Sequence, residues 1–190
     1  MKIKINSQFD IDSQDVTNLT FKLTRISEKN ARSGVAFFSS IKYIKQFLTN
    51  NYPELVTDKI EELSKTNDEF YTMLNKNGIS GKHDIKFYID DFYYVSFDRD
   101  TYVLYVHSNL NGNPDPNSDN HNKKPVPNKD RYKIVCYPSS ISSAIEMYYN
   151  QMLRNSELEG DEFIKYIPEL IKHLETKLKE LKESILQPQV

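Results

Sequence analysis

The 190-residue chain has one cysteine, Cys136, no tryptophan, five glycines and three alanines, Ala31, Ala36 and Ala144. A single thiol excludes an internal disulfide and any cysteine-built zinc cage, and it fits a reducing compartment. The scarcity of glycine leaves no phosphate-cradling loop, because Gly78-Ile79-Ser80-Gly81 lacks both the spacing and the Lys-Ser/Thr that should follow. No Gly-x-Ser-x-Gly elbow is present, Cys136 falls in the middle of an apolar alternation, and His173 lies on a helical flank, so nucleophilic catalysis has no motif to stand on. Long hydrophobic runs are also missing. No stretch reaches the length of a membrane span, and MKIKINSQFDID holds no apolar run of the signal-peptide kind, which predicts a cytoplasmic protein with no membrane partner.

Neither sign of charge dominates: 25 Lys/Arg stand against 27 Asp/Glu, for a net charge of −2. The distribution is uneven, with eight basic against four acidic residues over 1–50 and six against eleven over 51–100. Lys22, Arg25, Lys29 and Arg32 belong to the basic end and are the candidates for contact with nucleic acid phosphates.

Aromatic residues are plentiful, with 13 Tyr and 10 Phe. They concentrate in Ile85–His107, IKFYIDDFYYVSFDRDTYVLYVH, which predicts three antiparallel strands at 85–89, 92–97 and 102–107. A two-residue turn at Asp90-Asp91 sets Ile89 opposite Phe92 and Phe87 opposite Tyr94. A turn over Asp98–Thr101 sets Phe97 opposite Tyr102 and brings His107 back beside Phe92. This register puts Phe87, Tyr94, Tyr105 and His107 on one face, and Tyr88, Tyr93, Val95, Tyr102 and Leu104 on the other. Tyr88, Tyr93, Tyr102 and Tyr105 are the candidate binding surface, since tyrosine serves well at interface hot spots.

Around this meander, Lys2–Asn6 and Asn18–Ile26 alternate as further strands, and Ser39-Ser40 opens a helix carrying Ile41, Ile44, Phe47 and Leu48. Pro53 suits the first turn of the next helix, which runs to Lys76 with a cap or kink at Thr66-Asn67-Asp68 and stops at Asn77-Gly78. Residues 109–130 are crowded with Asn, Asp, Pro and Gly and predict an exposed loop. Asn111, Asn113, Asp115, Asn117 and Asp119 alternate there like a calcium ladder, but Pro114 and Pro116 interrupt it and Asn122 stands where a bidentate Glu belongs. A strand then carries Tyr132, Ile134 and Cys136 on one side. Residues 139–186 predict a helical hairpin turning near Glu159-Gly160-Asp161, with Pro168 at another first turn. Ile167, Ile171, Leu174, Leu178, Leu181 and Ile185 form a heptad-like stripe, either packed against the protein's own sheet or a homodimer seam.

The expectation is a single α+β domain over 1–190: an antiparallel, aromatic-rich sheet of five or six strands, helices over 40–76, and the C-terminal hairpin. The pattern DDFYYVSFDRDTYVLYVH followed by RYKIVCYPSSISSAIEMYYNQML resembles the C-terminal half of immunity-type domains over about a third of the chain. That resemblance implies paired strands feeding through serines into a helix. With no catalytic motif, the leading functional expectation is a non-enzymatic module that binds another protein and neutralises or regulates it, as bacterial immunity proteins or phage inhibitors do, with no cofactor. One alternative is a metal-dependent hydrolase or nuclease in which Asp90, Asp91 and His107 converge at one sheet edge. The other is a nucleic-acid binder using the N-terminal basic residues.

Overall fold

The computed structural model describes residues 2–13, 21–27, 31–98, 100–107, 132–156 and 158–186. Lys29 and the 109–130 segment therefore lie outside the described residues.

Instead of one sheet of five or six strands there are two antiparallel four-stranded sheets, each a meander in chain order. The first contains β1 (Lys2–Lys4), β2 (Phe9–Asp12), β3 (Phe21–Ile26) and β4 (Arg32–Phe38); the second contains β5 (Lys86–Tyr88), β6 (Tyr93–Asp98), β7 (Thr101–His107) and β8 (Tyr132–Cys136). The helices are α1 (Lys42–Asn51), α2 (Asp58–Asn77), α3 (Ile141–Asn155) and α4 (Gly160–Leu186). The chain groups into two compact units, one of residues 1–78 and 149–180, the other of residues 79–148 and 181–190.

In the first unit, Ile3, Ile11 and Leu23 line up across three strands and are fully buried. Strand β2 escaped the sequence reading because its alternate positions are Asp10 and Asp12, which looks like a polar loop. Both carboxylates are nevertheless buried, Asp10 to 1% exposure, and Arg32 on β4 neutralises them. Its Nη2 donates to Asp10 at 2.8 and 2.7 Å and to Asp12 at 3.0 Å. Buried charge is tolerated only when paired in this way. Replacing Arg32 by Met leaves both carboxylates uncompensated, although the half-exposed guanidinium position admits water. The expected loss is about 1–2 kcal/mol by chemical denaturation. Adding Asp10→Asn and Asp12→Asn recovers most of it, and a triple variant as unstable as Arg32→Met alone would mean the ion pairs are not what holds this face.

Several helix expectations change. Pro53 begins a short 3₁₀ turn, Pro53–Leu55, and α2 starts only at Asp58. It then runs unbroken through Thr66-Asn67-Asp68, because the Thr66 hydroxyl bonds back to the carbonyls of Glu62 and Leu63 and the side chain stays inside the helix. Likewise Pro168 lies within α4 rather than at its start. The preceding turns are held by buried Phe163, Ile164 and Ile167, and Gly160 takes a positive φ of 55° where the helix begins. Helix α3 ends at Asn155 and α4 begins at Gly160, so the connection between them comes before the expected Glu159-Gly160-Asp161 turn. In the stripe, Ile167, Leu174, Leu178 and Leu181 are buried, with Ile171 and Ile185 half-buried.

The second unit differs from expectation by one residue of register. Across β6 and β7 the pairing is as expected, with Phe97 opposite Tyr102 and the His107 amide donating to the Phe92 carbonyl at 2.8 Å. Asp100, with φ 72°, supplies the left-handed residue of the β6–β7 turn. Between β5 and β6 the turn is longer than Asp90-Asp91. Ile89 bonds back to the Tyr93 carbonyl, so Asp90, Asp91 and Phe92 form a three-residue loop, and Phe87 faces Val95 while Tyr88 faces Tyr94. Because side chains alternate along a strand, this slip moves all of β5 to the opposite face.

Candidate binding surface

The corrected register makes one face of the second sheet core and leaves the tyrosines of the other partly exposed, although Val103 of that face is buried. Phe87, Val95 and Leu104 align across β5, β6 and β7 and are buried; Tyr93 (4% exposed) and Tyr102 (2%) share their face. Tyr93 packs edge-on against Tyr148 of α3, with centroids 5.1 Å apart, while the Tyr102 hydroxyl accepts from the His83 amide at 3.0 Å and donates to the Gly81 carbonyl at 3.3 Å. Tyr93 and Tyr102 therefore leave the candidate surface: they are core residues.

The opposite face keeps Tyr88 and Tyr105 and adds Tyr94 and Tyr132. Tyr88, Tyr94, Tyr105 and Ile134 form one cross-strand row through all four strands. A bulge opposite Leu104/Tyr105 lets β8 place Tyr132 and Ile134 on this face while Cys136 pairs with Leu104 on the other. There the Cys136 thiol is pushed up from its ordinary pKa by burial and donates to the Met147 sulfur at 3.0 Å, which suits packing rather than nucleophilic attack. Tyr88 is 47% exposed, Ile134 49%, and Phe92 in the adjoining loop 44%.

The rings form a continuous ladder. Tyr94 and Tyr105 stack at 4.7 Å with planes 9° apart, Tyr132 meets Tyr94 edge-on at 4.7 Å, and His107 meets Tyr132 edge-on at 5.1 Å. Tyr88 tilts onto Tyr94 at 5.3 Å, and the Lys86 ammonium sits 5.2 Å from the Tyr88 ring and 4.6 Å from the Tyr94 ring. The Tyr94–Tyr105 separation matches the spacing between neighbouring strands, about 4.7–4.9 Å. Burial raises the Tyr94 phenol above its usual pKa, a tendency that Lys86 opposes. Compared with known proteins, the chain matches no family model, no curated protein and no solved structure.

The residues proposed for acid/base or metal chemistry converge in backbone but not in side chain. Asp90 Oδ1 accepts from the amides of Phe92 (2.7 Å) and Tyr93 (2.6 Å), and Oδ2 accepts from the Tyr148 hydroxyl at 2.7 Å, so its carboxylate turns towards the buried face. The His107 ring lies on the open face against Tyr132. Asp91 is exposed. Among the described residues no three His, Cys, Asp or Glu side chains are grouped to hold a metal ion, and no helix is long and apolar enough to cross a membrane.

The basic candidates are similarly engaged. Arg32 binds Asp10 and Asp12; Lys22 lies 5.8 Å from the Phe37 ring and Arg25 6.0 Å from the Phe9 ring. The sequence signal that would have set Tyr88 rather than Phe87 beside Tyr94 was the turn chemistry of Asp90: an Asp able to cap two amides favours a loop one residue longer, and with it the other β5 face.

Proposed function

We propose that the protein is a cytoplasmic, non-enzymatic binding module that neutralises or regulates a protein partner through the open face of β5–β8. The observation that carries this reading is the row of partly exposed tyrosines crossing every strand of the sheet, continued by exposed Phe92 and Ile134. Single exposed apolar side chains are ordinary, whereas a contiguous aromatic patch marks an interaction surface. Tyrosine contributes there through a large ring and a hydroxyl at small loss of side-chain freedom.

The ladder's geometry favours a protein over a nucleic acid. Base stacking needs a ring with an open face. The Tyr94 ring already has Tyr105 stacked on it at 4.7 Å, Tyr132 edge-on at 4.7 Å and the Lys86 ammonium 4.6 Å from its centroid. A ring so occupied has little face left for a base, whereas its hydroxyl still suits side-chain and backbone contacts. Engagement of Arg32, Lys22 and Arg25 within the first unit points the same way.

Affinity capture from the native host with wild-type protein and a Tyr94→Ser/Tyr105→Ser variant, side by side, tests this. One protein held in stoichiometric amount by the wild type is expected to fall at least about tenfold with the variant, while thermal unfolding shows both folded. Equal capture by the two would move the interface off this face.

A further inference from the structure

We infer that two copies of the chain pair antiparallel through β4, edge to edge, joining their first sheets into one of eight strands. This surface is independent of the tyrosine face. The strand orders give the two sheets four edges, β1, β4, β5 and β8. An exposed edge is a template for another strand, and proteins guard it by shortness, by lysine or by cover. β1 has three residues, two of them lysines, and is bridged to Glu159; β5 has three, beginning with Lys86; β8 carries exposed Lys133. β4 has none of these guards. It runs for seven residues, and its only charge, Arg32, is turned onto Asp10 and Asp12, so residues 33–38 form an uncharged stretch without proline.

The free main-chain groups of β4 follow from its neighbours. The Ile26 amide donates to the Gln8 carbonyl, so Ile26 turns towards β2 and, by alternation, Phe21, Leu23 and Arg25 turn towards β4. Their partners Phe38, Ala36 and Ser33 turn inward to meet them. The bulge at Val35 then leaves Arg32, Gly34 and Phe37 directing their amides and carbonyls away from β3. Among the described residues nothing takes these groups up. A two-fold axis between Val35 and Ala36 sets Gly34 of each copy opposite Phe37 of the other, so outward groups meet outward groups, and it holds the two Arg32 side chains at opposite ends. Phe37 is 57% exposed, and its ring reaches back over Gly34, with Cζ 3.3 Å from where a Cβ there would stand. Both rings thus lean towards the axis on one face of the joined sheet, and their contact adds apolar burial to the main-chain bonds. Each ring keeps its own Lys22 ammonium 5.8 Å from its centre.

Sedimentation of the full-length protein over a dilution series tests this. The mass is expected to rise towards twice that of one chain as concentration increases. Phe37→Lys, at an exposed position, should hold it at a single chain with an unchanged Tm when dilute, while Phe37→Tyr and the Tyr94→Ser/Tyr105→Ser variant should still pair. A wild type that stays a single chain throughout overturns the inference, as does pairing that persists in Phe37→Lys. Amide hydrogen exchange of the wild type gives a reading that does not depend on any variant folding. The Gly34 and Phe37 amides should be protected in concentrated samples and exchange freely in dilute ones; free exchange in both would overturn the pairing.

Discussion

Replacing Asp90 by Ala is expected to destabilise the protein by about 3 kcal/mol. The carboxylate accepts three hydrogen bonds, from the amides of Phe92 and Tyr93 and from the hydroxyl of Tyr148. Hydrogen bonds to a charged acceptor contribute about 1.5–3 kcal/mol each when intact, and the loop end of this site is wet enough to reduce the sum. Two structural consequences follow together: the three-residue loop that sets the β5 register loses its internal cap, and Tyr148, packed against Tyr93, loses an anchor. For a chain of this length about 3 kcal/mol lowers Tm by roughly 6–12 °C. Asp90→Asn keeps an acceptor oxygen for the two amides and should cost only about 1 kcal/mol. Equal stability of Asp90→Ala and wild type would return this carboxylate to the pool of functional candidates. A stable Asp90→Asn variant that lost an activity would do the same.

Tyr149→Phe is expected to act in the opposite direction. Tyr149 is fully buried, its ring stacks on Phe70 with centroids 3.7 Å apart and planes 6° apart, and its hydroxyl has no hydrogen-bond partner among the described residues. Removing that hydroxyl relieves a buried, unsatisfied polar group and should raise stability at pH 7 by about 1 kcal/mol. The alkaline limb is more telling. Burial pushes this phenol far above its usual pKa, and the neighbouring Tyr71 adds to the shift. The folded chain thus keeps a proton that the unfolded chain releases from about pH 10 upward. With fewer protons on the unfolded state, stability falls as pH rises past about 10, by about 1.4 kcal/mol per pH unit for this group, and is unaffected by it below. Phe cannot ionise, so the gap between variant and wild type should widen to about 3 kcal/mol or more by pH 12, read from urea unfolding at stepped pH. Parallel curves would show that the hydroxyl reaches solvent, and a variant weaker at pH 7 would show that it has a partner.

Asn67 poses the same problem within α2: it is fully buried and neither amide atom has a partner among the described residues. The sequence offered Thr66-Asn67-Asp68 as a break because these residues compete for backbone hydrogen bonds. The helix continues because Leu63, Phe70, Met73 and Leu74 bury one face over about three turns, and that burial outweighs a local preference worth a few tenths of a kcal/mol. The β5 error has a related origin. Asp90-Asp91 looks like a two-residue turn by residue type, but type does not say which carboxylate will cap which amide, and one residue of loop length exchanges the faces of a strand.

The sequence by itself determined the mixed α/β character, the antiparallel meander from β5 to β7 with its Phe97–Tyr102 pairing, and the buried face of α3 through Ile141, Ala144, Ile145 and Tyr148. These follow from side-chain periodicity, which is local and written in the order of residues. Only the tertiary structure decided that β2 is a strand, that there are two sheets, and that Tyr94 and Tyr132 rather than Tyr93 and Tyr102 face outward. Each depended on a partner distant in sequence: Arg32 neutralising Asp10 and Asp12, Tyr148 anchoring Asp90, and a bulge in β8 aligning Ile134 with Tyr105. A pattern read along the chain cannot supply the energy of such long-range pairings.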